Sequence, residues 1–187
     1  MASKEDQWLE GARRLDESTL AAIYDSLSPE LYNYACRLVG DTTTAEDIVS
    51  ETFFRFLRAL GAAGGPKDHL RAYLYRITHN LAVDHHRRRD EPLENPDLEL
   101  QKSPSAENPD VVVELSLAQA QAREVLWQLT HEQRQVIMLK FFQGLSNEEI
   151  AAVLEKPVGA VKSLQHRGLK SMRRILENDF AFTESSP

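Results

Sequence analysis

Apolar residues recur with helical spacing through most of the chain. Between Leu15 and Val39 they fall at Leu20, Ile23, Tyr24, Leu27, Leu31, Tyr34, Ala35 and Leu38, one face of a helix. Ser28-Pro29 lies inside this stretch and either interrupts the helix or starts a second one. Gly40-Asp41 closes it. Thr44, followed three residues on by Asp47, reads as an N-cap with a capping-box-like pattern. The helix it opens buries Val49, Phe53, Phe56 and Leu60 and stops at Gly61. A Gly-rich loop follows, and a third helix starts near Lys67 or Asp68. Its apolar stripe is Leu70, Tyr73, Leu74, Ile77 and Leu81, and it ends in the polar run His85 to Arg89.

The pattern then lapses. Leu93 to Pro109 carries Pro96, Pro104 and Pro109 among many acids, and its few apolar residues keep no period. Such a segment cannot bury enough surface to fold alone and reads as a linker. Helical spacing resumes from about Val111 to Leu129. Thr130 caps a further helix holding Val136, Ile137, Leu139 and Phe141, which Gly144 ends. Ser146-Asn147-Glu148-Glu149 is a capping box before Ile150, Ala151, Val153 and Leu154. Glu155-Lys156-Pro157 breaks the chain, with Pro157 suited to a first helical turn. The last helix holds Val161, Leu164, Leu169, Met172 and Ile175. The fold class is therefore all-α: a helical domain over 1–90, an acidic linker over 91–110, a second helical domain over 111–180, and a frayed tail over 181–187.

Composition narrows the function. At 42% hydrophobic residues over 187 positions the chain can pack two small cores, and no apolar run reaches the length of a membrane span. The start of the chain carries no secretory signal pattern. Cys36 is the only cysteine, so neither an internal disulfide nor a cysteine metal cluster is available. These features fit a cytoplasmic protein. The net charge of −7 hides a segregated distribution. Lys67, Arg71, Arg76, Arg87, Arg88 and Arg89 form one basic block, opposed only by Asp68 and Asp84. Lys156, Lys162, Arg167, Lys170, Arg173 and Arg174 form another with no acid among them. A nucleic acid responds to such local fields rather than to the sum.

Two short helices joined by a tight turn, the second one basic, make a helix-turn-helix candidate that would place its second helix in a major groove. The alternative is a small bundle with a solvated basic face. In the N-terminal half, Tyr73, Tyr75, His79, Asn80 and Arg87 lie on or near the exposed side of the third helix. Rings with cations suit unstacked single-stranded bases; alternatively, Tyr73 and Tyr75 belong to the core. On the preceding helix Glu46, Asp47 and Glu51 either complement the helix dipole or, with Phe54, Arg55 and Arg58, form a docking surface for a protein partner.

The segments Thr44–Phe53, Arg71–Asp84, Leu129–Val136, Gly144–Ala151 and Val158–Ser163, in this order and split by a linker, resemble the extracytoplasmic-function (ECF) group of the sigma-70 family. The resemblance spans roughly residues 15–177. It implies a promoter-specificity subunit that binds core RNA polymerase through its beta and beta' subunits, performs no covalent catalysis, and needs no cofactor or metal. It assigns core docking to Asp47, Glu51, Phe54, Arg55 and Arg58. Capture of melted −10 bases falls to Lys67, Asp68, Arg71, Tyr75, Arg76, His79, Asn80, Asp84, Arg87 and Arg88. Reading of the −35 duplex falls to Lys162, Ser163, Gln165, His166, Arg167, Lys170 and Arg173. It also implies an anti-sigma protein as a partner and a linker that threads a polymerase channel. The chain departs from the family pattern at Glu155-Lys156-Pro157, where a Gly followed by an apolar residue and Ser is usual, at Ser50 in place of Gln, and at Leu164-Gln165.

Two other classes stay in view. An ordinary helix-turn-helix regulator shares the C-terminal half but has no use for the Thr44–Phe53 helix. An enzyme or metal protein built on His79, Asp84, His85 and His86 is disfavoured by spacing, since helical zinc pairs prefer i, i+4. Cys36 reads as a buried small apolar residue rather than a redox switch.

Overall fold

The structure, a computed structural model, describes residues 4–62, 64–89 and 124–183, and within these the side chains of all residues except 86, 88, 89 and 178–183. The expected linker, the helix expected from Val111 up to residue 123, and the side chain of Arg88 lie outside the described residues. All regular elements among the described residues are helical. Contacts divide the chain into two compact units in sequence order, except that residues 151–155 group with the first.

The first unit contains α1 (Lys4–Arg13), α2 (Glu17–Val39), α3 (Thr42–Gly61) and α4 (Leu70–Arg89). Helix α1 has no counterpart in the periodicity above. Only Leu9 and Ala12 bury on it, too sparse a stripe to stand out. Gly11 sits where α1 meets α2, and a Cβ there would collide with the Thr19 side chain. Asp16 caps α2 by accepting hydrogen bonds from the Thr19 N–H at 2.8 Å, the Thr19 hydroxyl at 2.6 Å and the Ser18 hydroxyl at 2.7 Å. These donors hold its carboxyl below the usual aspartate range.

Pro29 does not break α2. Both Pro29 and Asp25, whose carbonyl loses its helical donor, are exposed, so water can supply the missing bond. Gly40 ends α2 in the left-handed region at φ 74°, its N–H bonded to the Cys36 carbonyl. The next residue, Asp41, caps α3 by accepting from the Thr44 N–H at 2.7 Å. The N-cap is thus Asp41, and Thr44 lies in the first turn. The tight corner at Gly40 starts the helix three residues sooner than the Thr44 reading placed it.

Helices α2, α3 and α4 pack against one another. Ile23, Leu27, Leu31 and Tyr34 of α2 and Val49, Phe53, Phe56 and Leu60 of α3 are buried. The buried arc of α4 is wider than the predicted stripe because it faces two neighbours. Leu70 and Leu74 are fully buried, whereas Tyr73, Ile77 and Leu81 form a half-buried flank and Tyr75, Thr78, His79 and Ala82 a buried one. The polar members of this second flank are tolerated because each finds a partner. The Thr78 hydroxyl bonds the Leu74 carbonyl at 3.0 Å and lies 3.1 Å from the Thr52 hydroxyl, and the Tyr34 hydroxyl lies 3.0 Å from His79 Nδ1.

The second unit begins, among the described residues, with a helical stretch over 124–127. There follow along the chain α5 (His131–Ile137), a π-helical turn (Met138–Phe142), α6 (Asn147–Leu154), whose residues 151–154 are those grouped with the first unit, and α7 (Val158–Thr183). Thr130 and Gln133 form a reciprocal capping box at the start of α5. Arg134 reaches back to the carbonyls of Leu126, Trp127 and Leu129 at 3.0, 2.9 and 3.1 Å, while its guanidinium stacks 4.0 Å from the Trp127 ring. It thereby caps the carbonyls at the end of the preceding helix, of which that of Leu126 also accepts from the Leu129 N–H at 3.2 Å. Val125, Leu129, Ile137 and Ile175 form a buried cluster, with Leu126 and Met172 against it.

The π turn shifts the register so that Phe141, expected inside, is 55% exposed. Gly144 closes the turn at φ 67°. Ser146 and Glu149 form the expected box, the Ser146 N–H donating to the Glu149 carboxylate and the Glu149 N–H to the Ser146 hydroxyl. Glu155 occupies the left-handed position at φ 53°, where glycine is favoured. Helix α7 continues to Thr183, three residues into the expected tail.

Candidate nucleic-acid interface

On α7 the buried positions Val161, Leu164, Gly168 and Ile175, with half-buried Met172, run down one side. Gly168 lets α7 approach α5, since a Cβ there would stand 3.0 Å from Ile137 Cγ1. Leu169, expected in the core, is 43% exposed because the glycine beside it takes the contact. Lys162, Ser163, His166, Arg167, Lys170 and Arg173 are exposed and Gln165 is half-buried. Lys162, His166, Lys170 and Arg173 follow an i, i+4, i+8, i+11 line, so every predicted residue of this group lies off the core stripe. Arg174, exposed beside them, adds a further cation. Arg173 Nε bonds Glu177 at 2.8 Å, which raises its pKa and offsets part of its charge toward an anion. Lys156 pairs with Glu132 at 2.7 Å and holds that carboxyl below its usual range.

In the first unit the predicted −10 residues separate into two groups. Lys67, Asp68, Asn80 and Arg87 are exposed. Arg76 is half-buried with its guanidinium 5.5 Å from the Tyr73 ring, and half-buried Asp84 pairs with Arg87 at 3.0 Å. Arg76, Asn80, Val83 and Arg87 follow one helical line. Val83 is the unpredicted member. Tyr75 and His79 depart from expectation. Tyr75 is fully buried, its ring edge-on to Tyr34 at 5.2 Å and its hydroxyl 3.4 Å from Glu30, and burial pushes its pKa far up. His79 is 7% exposed against Tyr34. Neither ring is available to stack on a base in this arrangement. The aromatic-cation pair on the accessible flank is Tyr73 with Arg76. Arg71 is half-buried and bonds Glu30 at 2.6 Å.

The docking candidates Asp47, Phe54, Arg55 and Arg58 are exposed and Glu51 is half-buried. Arg55 Nε bonds Glu51 at 2.7 Å, and the Arg58 guanidinium lies 5.9 Å from the Phe54 ring. Leu57, 45% exposed, adds a second apolar side chain three residues from Phe54, a spacing visible in the sequence. Asp47, Glu51 and Arg55 border a depression shared with Asp84 and His85 of α4. Cys36 is partly buried against Ala35, Val39 and their neighbours, and burial pushes its thiol pKa up, which suits packing rather than reactivity.

A helical unit whose α4 carries cations on its accessible flank, and a second helical unit whose α7 carries another exposed cationic side, define an all-helical protein of two compact units. The Sigma-70 region 2 family model matches residues 23–91 and the Sigma-70, region 4 model matches residues 119–172. The chain is 34% identical to the ECF RNA polymerase sigma factor BldN of Streptomyces coelicolor over 172 residues, 91% of this chain and 65% of that one. It is 31% identical to the ECF RNA polymerase sigma factor SigL of Mycobacterium tuberculosis over 169 residues, 89% of this chain and 94% of that one. The fold resembles CnrH, solved in complex with the cytosolic domain of CnrY (TM-score 0.68, 23% identity, 95% of this chain and 99% of that one). It also resembles the sigma factor RpoE of Bartonella quintana, solved with the anti-sigma factor NepR (TM-score 0.61, 22% identity, 84% of this chain and 96% of that one). The chain belongs to the ECF group of the sigma-70 family, whose members bind core RNA polymerase and direct it to promoters. No helix among the described residues is long and apolar enough to cross a membrane.

Proposed function

We propose that this chain directs promoter-specific initiation with the following division of labour. Region 2, residues 1–90, docks core polymerase through Asp47, Glu51, Phe54, Arg55 and Arg58, with Leu57 in the same patch. Loop 64–69 and the Tyr73, Arg76, Asn80, Arg87 flank of α4 take up unstacked −10 bases, rings stacking and cations tracking the backbone. Region 4, residues 111–180, lays the cationic side of α7 in the −35 major groove. There Gln165 and Arg167 suit base edges, and Lys162 and Lys170 suit phosphates. Residues 91–110 connect the two. The polymerase performs the covalent chemistry, the chain itself is not an enzyme, and it acts in the cytoplasm. An anti-sigma protein, as in the RpoE complex, is the expected inhibitor.

The observation that carries this reading is the exposed line Lys162, His166, Lys170 and Arg173 on α7, only its last member paired to an acid, opposite a core stripe that approaches α5 through Gly168. In vitro transcription with bacterial core polymerase and genomic promoter fragments tests it. Transcripts that require the protein support the reading. Duplex binding with neither core binding nor transcripts would establish a plain helix-turn-helix regulator instead.

A further inference from the structure

Helix α1 lies upstream of the stretch that the region 2 model matches, yet it makes directed polar contacts with the segment that precedes α4. Arg13 Nη2 donates to the Lys67 carbonyl at 2.6 Å and approaches the Pro66 carbonyl at 3.4 Å. At the other end of the same helix, eight residues before Arg13, Glu5 accepts from the Arg71 N–H at 3.0 Å, in the first turn of α4. First-turn N–H groups have no intrahelical acceptor, so the Glu5 carboxylate serves as a cap supplied from a distant element. Buried Leu9 and Ala12, and the close approach at Gly11, fix α1 between these two ends.

The segment so held is one that local forces alone fix poorly. Gly65 and His69 both take left-handed backbone, at φ 91° and 46°, and for His69 that conformation is unfavourable. The Gly64 N–H bonds the Ala59 carbonyl at 2.9 Å and Pro66 is buried, which anchors the near end. Lys67, Asp68 and His69 stay exposed, with their main chain gripped by Arg13 on one side and the Glu5-capped helix on the other.

We infer that α1 is a positioning element for −10 recognition, in which Arg13 and Glu5 set the backbone of residues 66–71 and so the placement of the Lys67–Asp68 side chains. The inference rests on the assignment of loop 64–69 to base capture. Arg13 and Glu5 touch no base in it and act through the loop.

The test uses the full chain with core polymerase and a set of promoters carrying single-base changes in the −10 element. Arg13→Gln and Glu5→Ala are compared with the conservative Glu5→Gln, whose amide oxygen still accepts from Arg71, and with Lys67→Ala and Asp68→Ala in the loop. Core affinity and melting temperature are measured alongside. Arg13→Gln and Glu5→Ala are expected to compress the spread of rates between consensus and single-base variants by about fivefold or more, with core affinity unchanged and Glu5→Gln retaining selectivity. A loss of stability alone lowers all promoters by one factor and leaves their ratios intact. That result, with the loop variants changing the ratios, overturns the positioning role. If Lys67→Ala and Asp68→Ala also leave the ratios unchanged, the base-capture assignment of the loop fails first, and the inference with it.

Discussion

The turn between α6 and α7 places Glu155 at φ 53°, in the left-handed region where the family pattern carries glycine. Replacing it with glycine should stabilise this half of the chain. Left-handed backbone costs a residue with a Cβ roughly 1–2 kcal/mol. Glycine gives back about 0.5–1 kcal/mol through the greater freedom of its unfolded chain. The net expectation for Glu155→Gly is about 0.5–1 kcal/mol of added stability, because Glu155 is exposed and little packing is lost. The chain has two tryptophans, Trp8 and Trp127, and Trp127 stacks with Arg134 in the second unit. In a Trp8→Phe background, Trp127 fluorescence through urea unfolding therefore follows that unit. At a slope near 1 kcal/mol per molar urea, the midpoint should rise by about 0.5–1 M. Glu155→Ala is the control, since it removes the carboxylate and retains the Cβ, and it should show no comparable gain. Equal midpoints for the glycine and alanine variants would refute the claim that backbone strain resides at this turn.

Three further expectations follow from other parts of the structure. Tyr34→Phe deletes the buried hydrogen bond to His79 Nδ1 and should cost the first unit about 1–2 kcal/mol, read from Trp8 fluorescence in a Trp127→Phe background; an unchanged midpoint would show that the bond contributes nothing net. Asp16, its folded pKa depressed by Thr19 and Ser18, contributes stability that is fully present above the ordinary aspartate pKa and is lost as pH falls through the lowered folded value. Asp16→Asn keeps a capping oxygen and should therefore flatten the acid limb of a stability-versus-pH curve without moving the neutral-pH plateau much. Lys162→Ala and Lys170→Ala should weaken −35 duplex binding across sequences and reduce the salt dependence by about one counterion each, whereas Gln165→Ala should chiefly relax base preference.

The caps at Thr130 and Ser146 and the outer cationic line of α7 were legible because each depends on one element at a time, whereas the α3 cap lies at Asp41 rather than Thr44. Capping residues act within four positions, and Lys162, His166, Lys170 and Arg173 share a side by helical geometry alone. What escaped were features set by a second element. The side of α4 that is buried depends on its having two neighbours, and no period on α4 alone distinguishes Tyr73 from Tyr75. Tyr75 and His79 become core residues because Glu30 and Tyr34 wait for them on α2. Leu169 yields its place to Gly168 because Ile137 approaches too closely for a side chain. Phe141 turns outward because the π turn alters the register after Ile137. Helix α1 was missed since its two buried residues, Leu9 and Ala12, make no stripe.

The buried polar contacts of α4 bear on function through geometry. Thr52 and Thr78 join α3 to α4 and Tyr34 and His79 join α2 to α4 within one small core, and the half-buried Glu30–Arg71 pair adds a link at its edge. Apolar packing tolerates small rotations of a helix about its axis, whereas a buried hydrogen bond weakens steeply when its angle departs from linearity. The α4 flank bearing Tyr73, Arg76 and Asn80 is thereby held at a fixed rotation relative to the α3 side bearing Asp47, Glu51 and Phe54. On the proposed division of labour, with α3 docking the polymerase and α4 facing the opened strand, this relation matters more than the last increment of stability. Substitutions that replace Thr52 and Thr78 together by valine should accordingly preserve folding better than they preserve promoter selectivity, since packing survives the exchange and the rotational constraint does not.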